Sequence, residues 1–345
     1  MSALTKNVRL AVAGVGLIGR RHAAIAAKDA LLCAIADPSP AARDVARGCG
    51  VPLYGDVSEL IAAERPDGVI VATPNQRHEA DGLACIETGT PVLIEKPLAS
   101  TVGEAERLVA AAEAAKIALL VGHHRRYNPL IDAAKSIVGT GRVGQIRTVS
   151  AHCWLRKPDA YFGASWRRTV GAGPVFINLI HDIDLLLHLC GDIDSVQATE
   201  ALLRRGGSVE DTAAAVLVFR NGAIGTVSVS DSVAAPWSWE LTAAENPAYP
   251  VTDSFAYMIG GTEASLSIPD LSIWSHRGEP SWHSEMVCDR IEVAREDPLV
   301  RQIRHFAAVA RGDAAPLVTG RDGLKALKVI TAIKTAARTR QMQAL

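Results

Sequence analysis

The sequence predicts an α/β fold that begins with a doubly wound parallel sheet of the Rossmann type. A glycine-rich turn, GVGLIG, joins an apolar run to a helical stretch near the N-terminus. Near-continuous apolar runs then alternate with helical patterns as far as residue 122, which is typical of parallel strands covered on both faces. The length of 345 residues suggests about two domains.

Composition excludes several classes of protein. Hydrophobic residues make up 48% of the chain and charged residues 21%, which predicts a substantial core. Because 36 basic residues balance 37 acidic ones, neither nucleic acid nor a membrane surface is an expected partner. The start lacks a basic leader, no apolar run reaches ~18 residues, and the six cysteines are scattered. These features predict a cytoplasmic protein without a signal peptide or membrane span.

The first strand–turn–helix unit has the pattern of a dinucleotide site. An apolar run at residues 7–13 precedes the turn, a helix follows it, and a second apolar run ends at Asp37. The glycines allow a tight turn close to a pyrophosphate, beside the N–H groups at the helix start. The plain alternative is a generic turn, with Asp37 as a helix cap. The expected phosphate-binding residues are Gly14, Gly16, Leu17, Ile18 and Gly19.

Asp37 favours NAD as the cofactor. Its carboxylate would accept hydrogen bonds from the ribose hydroxyls and would repel a 2′-phosphate. Arg20 and Arg21 are close enough in sequence that NADP stays possible.

The alternation continues with a strand at 68–74, a helix at 75–89, and a helix that starts at Thr101 with a capping box to Glu104. A further strand follows at 117–122. Ligands of such sheets bind beyond the carboxyl ends of the strands. The residues expected beside the dinucleotide at these ends are Thr73, Pro74, Asn75, His78, Glu95 and Lys96. His78 is expected to pack beside the dinucleotide loop, and for Lys96 the alternative is an ordinary surface lysine.

Five motifs occur in a fixed order over nearly the whole chain. They are GVGLIGRRHAAI (14–25), ATPNQRHEA (72–80), EKPLA (95–99), GHHRRYNP (122–129) and INLIHDIDLL (177–186). Together they resemble the GFO/IDH/MocA family of NAD(P)-dependent oxidoreductases. The last motif is most similar to a branch that includes semialdehyde dehydrogenases of aromatic degradation and sugar-type dehydrogenases.

The resemblance implies a Rossmann domain, at residues 1–122, and an α/β domain with an open, mostly antiparallel sheet, at 123–345. That sheet usually forms the oligomer interface, so a homodimer or homotetramer is expected. The sequence pattern agrees with this expectation. Residues 211–232 form two β-rich runs around an Asn-Gly turn, and 143–155 and 253–268 also alternate as strands do.

Residues 177–189 predict a helix with one polar side. At 100° per residue its polar side chains fall within an arc of roughly 160°. They are Asn178, His181, Asp182, Asp184 and His188. A solvated face is the plain alternative, but such a face usually carries Lys, Glu and Arg. Short acceptors and imidazoles are more typical of a cleft.

The resemblance also implies the catalytic residues. Lys96 of the EKP motif lies beside nicotinamide and substrate in the family, and the helix histidine, here His181, transfers the proton. Many relatives carry an Asp where this chain has Ile177, so the chain departs from the Asp/His relay of those relatives and Asn178 is expected to position substrate. The other candidates for orienting His181 or binding substrate are Asp182 and Asp184.

Two further segments supply candidate substrate contacts. Arg126 and Tyr127 follow the last Rossmann strand, and kinship supports Arg126, although an ordinary salt bridge would explain it as well. Trp166 and Arg167 lie in the polar and aromatic loop 157–173, where they would roof the pocket or simply pack the loop.

The expected reaction moves a hydride between nicotinamide and a secondary alcohol or carbonyl of a sugar, inositol or related cyclic hydroxy compound. His181 would act as base and Lys96 would stabilise the alkoxide. Rival functions are an NAD-dependent glycosidase, a semialdehyde or lactol dehydrogenase, and a non-catalytic dinucleotide sensor. A metal site is not expected, because the candidate ligands are not compactly spaced. Those ligands are His123, His124, His181, Asp182, Asp184 and His188.

Overall fold

The structure is a computed structural model that describes residues 8–29, 31–169, 171–203 and 209–345. The side chains of Ser165 and Trp166 lie outside that description. The chain divides into two compact units. The first contains the described residues up to Tyr127 together with Glu296–Leu327, and the second contains Asn128–Arg295 with Lys328–Leu345.

The strands of the described residues are β1 (Leu10–Ala13), β2 (Leu32–Ala36), β3 (Leu53–Tyr54), β4 (Gly68–Val71), β5 (Val92–Ile94), β6 (Leu119–Val121), β7 (Ile146–Trp154), β8 (Ile193–Ala201), β9 (Thr212–Phe219), β10 (Ile224–Ser230), β11 (Tyr257–Gly261), β12 (Ala264–Ile268), β13 (Ser272–His276), β14 (Met286–Arg290) and β15 (Gln343–Ala344). The α-helices are α1 (Leu17–Lys28), α2 (Ala42–Cys49), α3 (Val57–Glu64), α4 (His78–Glu87), α5 (Val102–Ala115), α6 (Pro129–Gly139), α7 (Ile180–Cys190), α8 (Trp239–Thr242), α9 (Pro298–Ala310) and α10 (Gly320–Thr339).

The first unit contains a parallel sheet that runs β3-β2-β1-β4-β5-β6 in the described residues. The residues of β1, β4 and β5 are all buried, because these strands are apolar on both faces. The strand order reverses between β1 and β4, and ligands of such sheets bind outside the carboxyl ends at this switch point. The ends of β1, β4 and β5 therefore lie side by side where a ligand is expected.

Side-chain capping starts α5 as predicted. Thr101 Oγ1 accepts the N–H of Glu104 at 3.2 Å, and the Glu104 carboxylate accepts the N–H of Thr101 at 3.1 Å. This capping box satisfies N–H groups that have no partner within the helix.

Helix α9 also belongs to the first unit. Phe306 of α9 is fully buried, and a Cβ at Gly68 of β4 would lie only 2.9 Å from its ring. Ile303 shares the same apolar core. The domain boundary expected at 122/123 remains a prediction, and the compact units add residues 296–327 to the first of them.

The second unit contains a sheet whose described strands run β14-β13-β12-β11-β7-β10-β9-β8-β15. Neighbouring strands are antiparallel except for the parallel pair of β7 and β10. The hairpin predicted at 211–232 is present as β9–β10, and its turn closes where Gly222, with φ of +87°, donates its N–H to Phe219 O at 2.9 Å. The expected fold class is therefore confirmed.

Two predicted elements have different ends in the structure. The strand expected at 68–74 ends at Val71, and a 3-10 turn follows at Asn75–Arg77. Pro74, between the two, has no N–H with which to continue a sheet. The helix expected at 177–189 starts earlier, as a π-helical turn at Val175–Leu179. A π turn has i→i+5 hydrogen bonds, so a uniform spacing of 100° per residue does not hold there. In the part of the chain that the structure describes, no helix has the length and apolar character to cross a membrane.

Candidate active site

The three glycines between β1 and α1 have different physical roles. Gly14 has φ of +83°, and a Cβ there would lie 2.5 Å from Ala72 O. A Cβ at Gly19 would lie 1.9 Å from Gly14 O, so this glycine permits close packing of helix and turn. At Gly16, no atom of the described residues lies within 4 Å of an added Cβ. Gly16 therefore leaves open space beside the backbone, as the approach of a pyrophosphate requires.

The start of α1 faces open space as well. Leu17, its first residue, is 91% exposed, and Ile18 is half-buried. The N–H groups of a first helical turn lack partners within the helix, and the helix dipole is positive there. Together with the space at Gly16, this arrangement suits a phosphate group.

Asp37 follows β2 and accepts two backbone hydrogen bonds. Its Oδ2 accepts the N–H of Val15 at 2.7 Å, and its Oδ1 accepts the N–H of Ser39 at 2.8 Å. Burial acts to raise the pKa of Asp37, but the hydrogen bonds from Ser39 and Val15 and the charge of Arg20 bring it below its usual value. The carboxylate is thus ionised at neutral pH, as ribose binding and repulsion of a 2′-phosphate require.

Gly14, Gly16 and Asp37 line a cleft of about 840 Å³ within the first unit, a volume typical of ligand sites. The cleft is lined by Gly14, Val15, Gly16, Arg20, 36–39, 55–57, 72–74, Arg77 and Asp81. The lining includes Thr73 and Pro74, and Asn75 is exposed in the next turn of the chain. The structure therefore brings Gly14, Gly16, Asp37, Thr73 and Pro74 together, whereas the predicted residues 17–19 are not among those that line the cleft.

Polar contacts fix the loop that follows β4. Thr73 Oγ1 donates to Asp81 Oδ2 at 2.8 Å, and Arg77 donates to Asp81 Oδ1 at 2.7 Å. The buried ring of His78 lies between two carbonyl oxygens, with Nε2 2.9 Å from Thr73 O and Nδ1 2.8 Å from Pro97 O. Burial lowers the pKa of His78, although both carbonyls act against that change. His78 thus links the loops after β4 and β5.

Lys96 follows β5 at the same edge of the sheet, next to the end of β4. The residue is half-buried, its peptide bond to Pro97 is cis, and its N–H donates to Glu95 Oε2 at 3.1 Å. The end of the strand thus directs the chain at Lys96 to the expected ligand edge.

Glu95 itself is buried within the first unit. Its Oε1 lies 2.7 Å from Nε2 of His22, a fully buried residue of α1, and a Cβ at Gly122 would lie 2.9 Å from its Oε2. Burial acts to raise the pKa of Glu95, but the hydrogen bond and charge of His22, with the charges of His124 and Lys96, lower it to about 2. Glu95 therefore places a buried negative charge next to the backbone N–H of Lys96.

Arg126 and Tyr127 lie in a buried 3-10 turn after β6. Arg126 Nη1 is 3.4 Å from Asp322 Oδ1, so the ion pair considered as an alternative is present. Burial acts to raise the pKa of Asp322, but Arg126 and hydrogen bonds from a neighbouring threonine lower it. The carbonyl of Tyr127 accepts a hydrogen bond from Arg301 at 2.6 Å.

His181 lies in the first turn of α7, in the second unit, and its polar neighbours are buried. His181 is 8% exposed, Asp184 is 1% exposed and Asp182 has no exposed surface. This helix side is therefore not a solvated face. Asp182 Oδ1 accepts a hydrogen bond from the hydroxyl of Tyr257 on β11, which ties α7 to the second sheet.

Lys157 is a polar residue that the sequence pattern does not single out. Its Nζ donates to Asn178 Oδ1 at 2.8 Å and lies 3.6 Å from Asp231 Oδ2. Lys157 and Asp231 are both buried. The one signal in the sequence is a lysine shortly after a strand, as at Lys96, but nothing indicates its contact with Asn178, which lies 21 residues later.

Glu210 is a second residue without a sequence signal. The buried side chain accepts the N–H of Val175 at 3.2 Å through Oε1, and a hydrogen bond from Lys334 Nζ at 2.7 Å through Oε2. A Cβ at Gly173 would lie 2.1 Å from Oε1. Glu210 thereby holds the start of the π turn that carries Asn178.

The loop that precedes the π turn packs around Tyr161. The guanidinium carbon of Arg167 lies 3.8 Å from the centre of the Tyr161 ring, and Arg167 Nη1 donates to Tyr161 O at 2.7 Å. These contacts stabilise the loop. The side chain of Trp166 lies outside the structural description, so its contact with substrate stays a prediction. Within the described ranges, no three His, Cys, Asp or Glu side chains form a group suited to a metal ion.

Comparison with known proteins agrees with this geometry. A family model described as "Oxidoreductase family, NAD-binding Rossmann fold" matches residues 8–123, and the model "GFO/IDH/MocA C-terminal domain" matches residues 131–267. The first unit is therefore an NAD-binding Rossmann domain, as expected from the glycine turn and Asp37.

Individual relatives are similar over part of their length. The chain is 34% identical to the rhizopine catabolism protein MocA of Rhizobium meliloti, over 53% of this chain and 57% of that protein. It is 35% identical to an inositol 2-dehydrogenase of Rhodococcus jostii, over 45% of this chain and 43% of that protein. The chain thus matches about half the length of these curated relatives.

A solved structure is similar over nearly the whole chain. The WlbA dehydrogenase of Bordetella pertussis, crystallised with NADH and UDP-GlcNAcA, is 25% identical, with a TM-score of 0.79 and 98% of both chains covered. The resemblance inferred from the five motifs is confirmed, and the chain belongs to the GFO/IDH/MocA family of oxidoreductases.

Proposed function

We propose that this protein is an NAD(P)-dependent oxidoreductase that transfers a hydride between nicotinamide and a secondary alcohol or carbonyl carbon. The observation that carries the proposal is the edge of the first sheet. There the glycine turn, Thr73 and Lys96 follow three neighbouring parallel strands. The open space at Gly16 and the carboxylate of Asp37 fit the pyrophosphate and the adenosine ribose. Asp37 favours NAD, while the exposed Arg20 keeps NADP possible.

The proposed chemistry gives Lys96 and His181 different roles. NAD, when bound, supplies the carbon that accepts or returns the hydride. Lys96 donates a hydrogen bond to the reacting oxygen and stabilises its negative charge. His181 takes the hydroxyl proton during oxidation and returns it during reduction. Glu95 supports this arrangement, because its buried negative charge attracts the positive charge of the adjacent Lys96.

The proposed substrate is a sugar, an inositol or a related cyclic hydroxy compound. The name of the Rhodococcus jostii relative supports this class. Asn178 is proposed to position the substrate, and Asp182 to hold α7 through Tyr257. The other proposed substrate contacts are Arg126, Tyr127, Trp166 and Arg167.

We also propose that copies of the chain associate through the outer face of the second sheet, as a homodimer or homotetramer. Apolar side chains are exposed on that face, and they include Val216, Ile224, Met258 and Trp274. Apolar patches of this kind commonly mark protein interfaces. The six cysteines form no disulfide, which supports a reducing, cytoplasmic location.

The test is NADH formation by the purified protein across a panel of cyclitols, aldoses, anhydro sugars, lactols and semialdehydes. The proposal predicts net NADH from at least one cyclic polyol, and its loss in Lys96→Met. Release of a leaving group without net NADH would instead indicate a glycosidase. NAD binding without turnover on any compound would indicate a sensor and would contradict the proposal.

A further inference from the structure

The buried ammonium of Lys157 is held from several directions in the second unit. The backbone N–H of Lys157 donates to Asp231 O at 2.9 Å, which fixes the chain beside the end of β10. Its Nζ donates to Asn178 Oδ1 at 2.8 Å, lies 3.6 Å from Asp231 Oδ2, and lies 5.0 Å from the centre of the Tyr161 ring. Lys157 is 8% exposed and Asp231 is 2% exposed. A lysine is rarely buried unless its ammonium group is paired, and these contacts supply its partners.

The contact with Lys157 decides which way the amide of Asn178 points. An ammonium group has three donors and no acceptor. The amide atom that faces it must therefore be the oxygen, and the NH₂ group must point away. Within the described residues, Asn178 Nδ2 makes no hydrogen bond, and Asn178 is half-exposed. Asn178 thus presents two N–H donors on the side opposite Lys157.

We propose that Lys157 is a positioning residue that orients Asn178 as a hydrogen-bond donor, so that the site selects a substrate with an acceptor oxygen at that position. The inference rests on the proposed function, since it assumes that Asn178 faces the substrate. The acceptor is a carbonyl, carboxylate, ether or hydroxyl oxygen. An Asp in place of Asn178 would offer only acceptors and would need a donor instead. Asn178, three positions before His181, therefore decides whether the site offers the substrate a hydrogen-bond donor or an acceptor.

The first test is a coupling measurement that needs no substrate. Lys157→Met alone would leave Asp231 buried without its ammonium partner, so the comparison is made in an Asp231→Asn background. Urea midpoints are measured with Lys157→Met, with Asn178→Ala and with both substitutions. We expect the double variant to lose less than the sum of the single losses, because both remove the same hydrogen bond. Strict additivity would overturn the contact between Lys157 and Asn178.

The second test uses a substrate that the wild-type protein turns over. In the same background, Lys157→Met should lower kcat/KM roughly 10-fold or more, mainly through KM. Asn178→Ala should add little to that loss. If the fold losses in kcat/KM of the two single variants multiply in the double variant, Lys157 acts independently of Asn178 and the proposal is overturned.

Analogues then test the polarity of the site. Wild-type protein should turn over an analogue with a methyl ether or fluorine in place of the recognised hydroxyl better than the deoxy analogue, because the first two keep an acceptor. Asn178→Asp should reverse that order, which a merely structural role would not do. If the wild-type protein turns over substrate but Asn178→Asp keeps the same order of analogues, only the proposed role of Lys157 and Asn178 is overturned. Coupling without any wild-type turnover would instead overturn the proposed function, and with it the substrate role of Asn178.

Discussion

Substitution of His22 by alanine should destabilise the protein in a manner that depends on pH. Glu95 is 6% exposed, and His22 Nε2 is its partner at 2.7 Å. Burial acts to raise the pKa of Glu95, but the hydrogen bond and charge of His22, with the charges of His124 and Lys96, lower it from its usual value of 4.5 to about 2. Removing the imidazole leaves a buried carboxylate without its main partner.

The magnitude follows from the pKa. The fall in the pKa of Glu95 from 4.5 to about 2 corresponds to about 3 kcal/mol of stability, and this is the net effect of burial, of His22 and of the charges of His124 and Lys96. Leaving a buried acceptor without its hydrogen-bond partner typically costs ~1–3 kcal/mol, and more for a charged group, which agrees. Because the folded pKa is depressed, this stabilisation is fully present above pH 4.5 and is lost as the pH falls towards 2.

The assay is urea unfolding of wild-type protein and His22→Ala at several pH values between neutrality and the acid limit of folding. The difference in the free energy of unfolding should be larger above pH 4.5 than below it, and it should shrink as the pH falls from 4.5 towards 2. Glu95→Gln is the control, since it keeps a hydrogen-bond acceptor but should have a flatter acid profile. A loss that is equal at every pH, or below ~1 kcal/mol at neutral pH, would refute the reasoning.

Three further predictions follow from the same structure. Gly16→Ala should weaken NAD binding at least roughly 10-fold with little change in stability. Gly19→Ala should instead destabilise the protein by ~1–3 kcal/mol or more, because its Cβ meets Gly14 O. NAD titration and dye-monitored unfolding measure the two effects, and equal effects of both variants would contradict the different roles of the two glycines. Asp37→Ala should reduce the preference for NAD over NADP by roughly 10-fold or more, measured as a ratio of dissociation constants, because a charged acceptor is lost. Glu210→Gln should cost ~1–3 kcal/mol in unfolding free energy and lower turnover while NAD binding is unchanged; unchanged turnover would contradict its role in holding the π turn.

Local signals in the sequence were sufficient to predict much of the fold. The glycine turn with Asp37 specifies the first strand–helix–strand unit, because backbone approach and the helix start impose those residue types locally. The capping box at Thr101 and the hairpin turn at Gly222 are also local, and the structure contains both. Lys96 could be placed at the ligand edge because parallel strands leave their carboxyl ends together.

Features that depend on contacts distant in sequence could not be predicted in this way. The packing of Phe306 against Gly68 joins α9 to the first unit across more than two hundred residues. The π turn before α7 depends on the buried carboxylate of Glu210, which no local pattern reveals. The orientation of the Asn178 amide could not be predicted either. It depends on the hydrogen bond from Lys157, and the sequence alone does not show which side of the amide faces that lysine.

Single-turnover hydride transfer tests the central claim most directly. The protein is loaded with NAD, mixed with a substrate from the polyol panel, and followed by NADH absorbance for wild type, Lys96→Ala and His181→Ala. The account predicts that each variant binds NAD within about 3-fold of wild type but transfers hydride roughly 10²- to 10⁴-fold more slowly. Transfer at the wild-type rate in either variant would contradict the assignment of that residue to the chemistry.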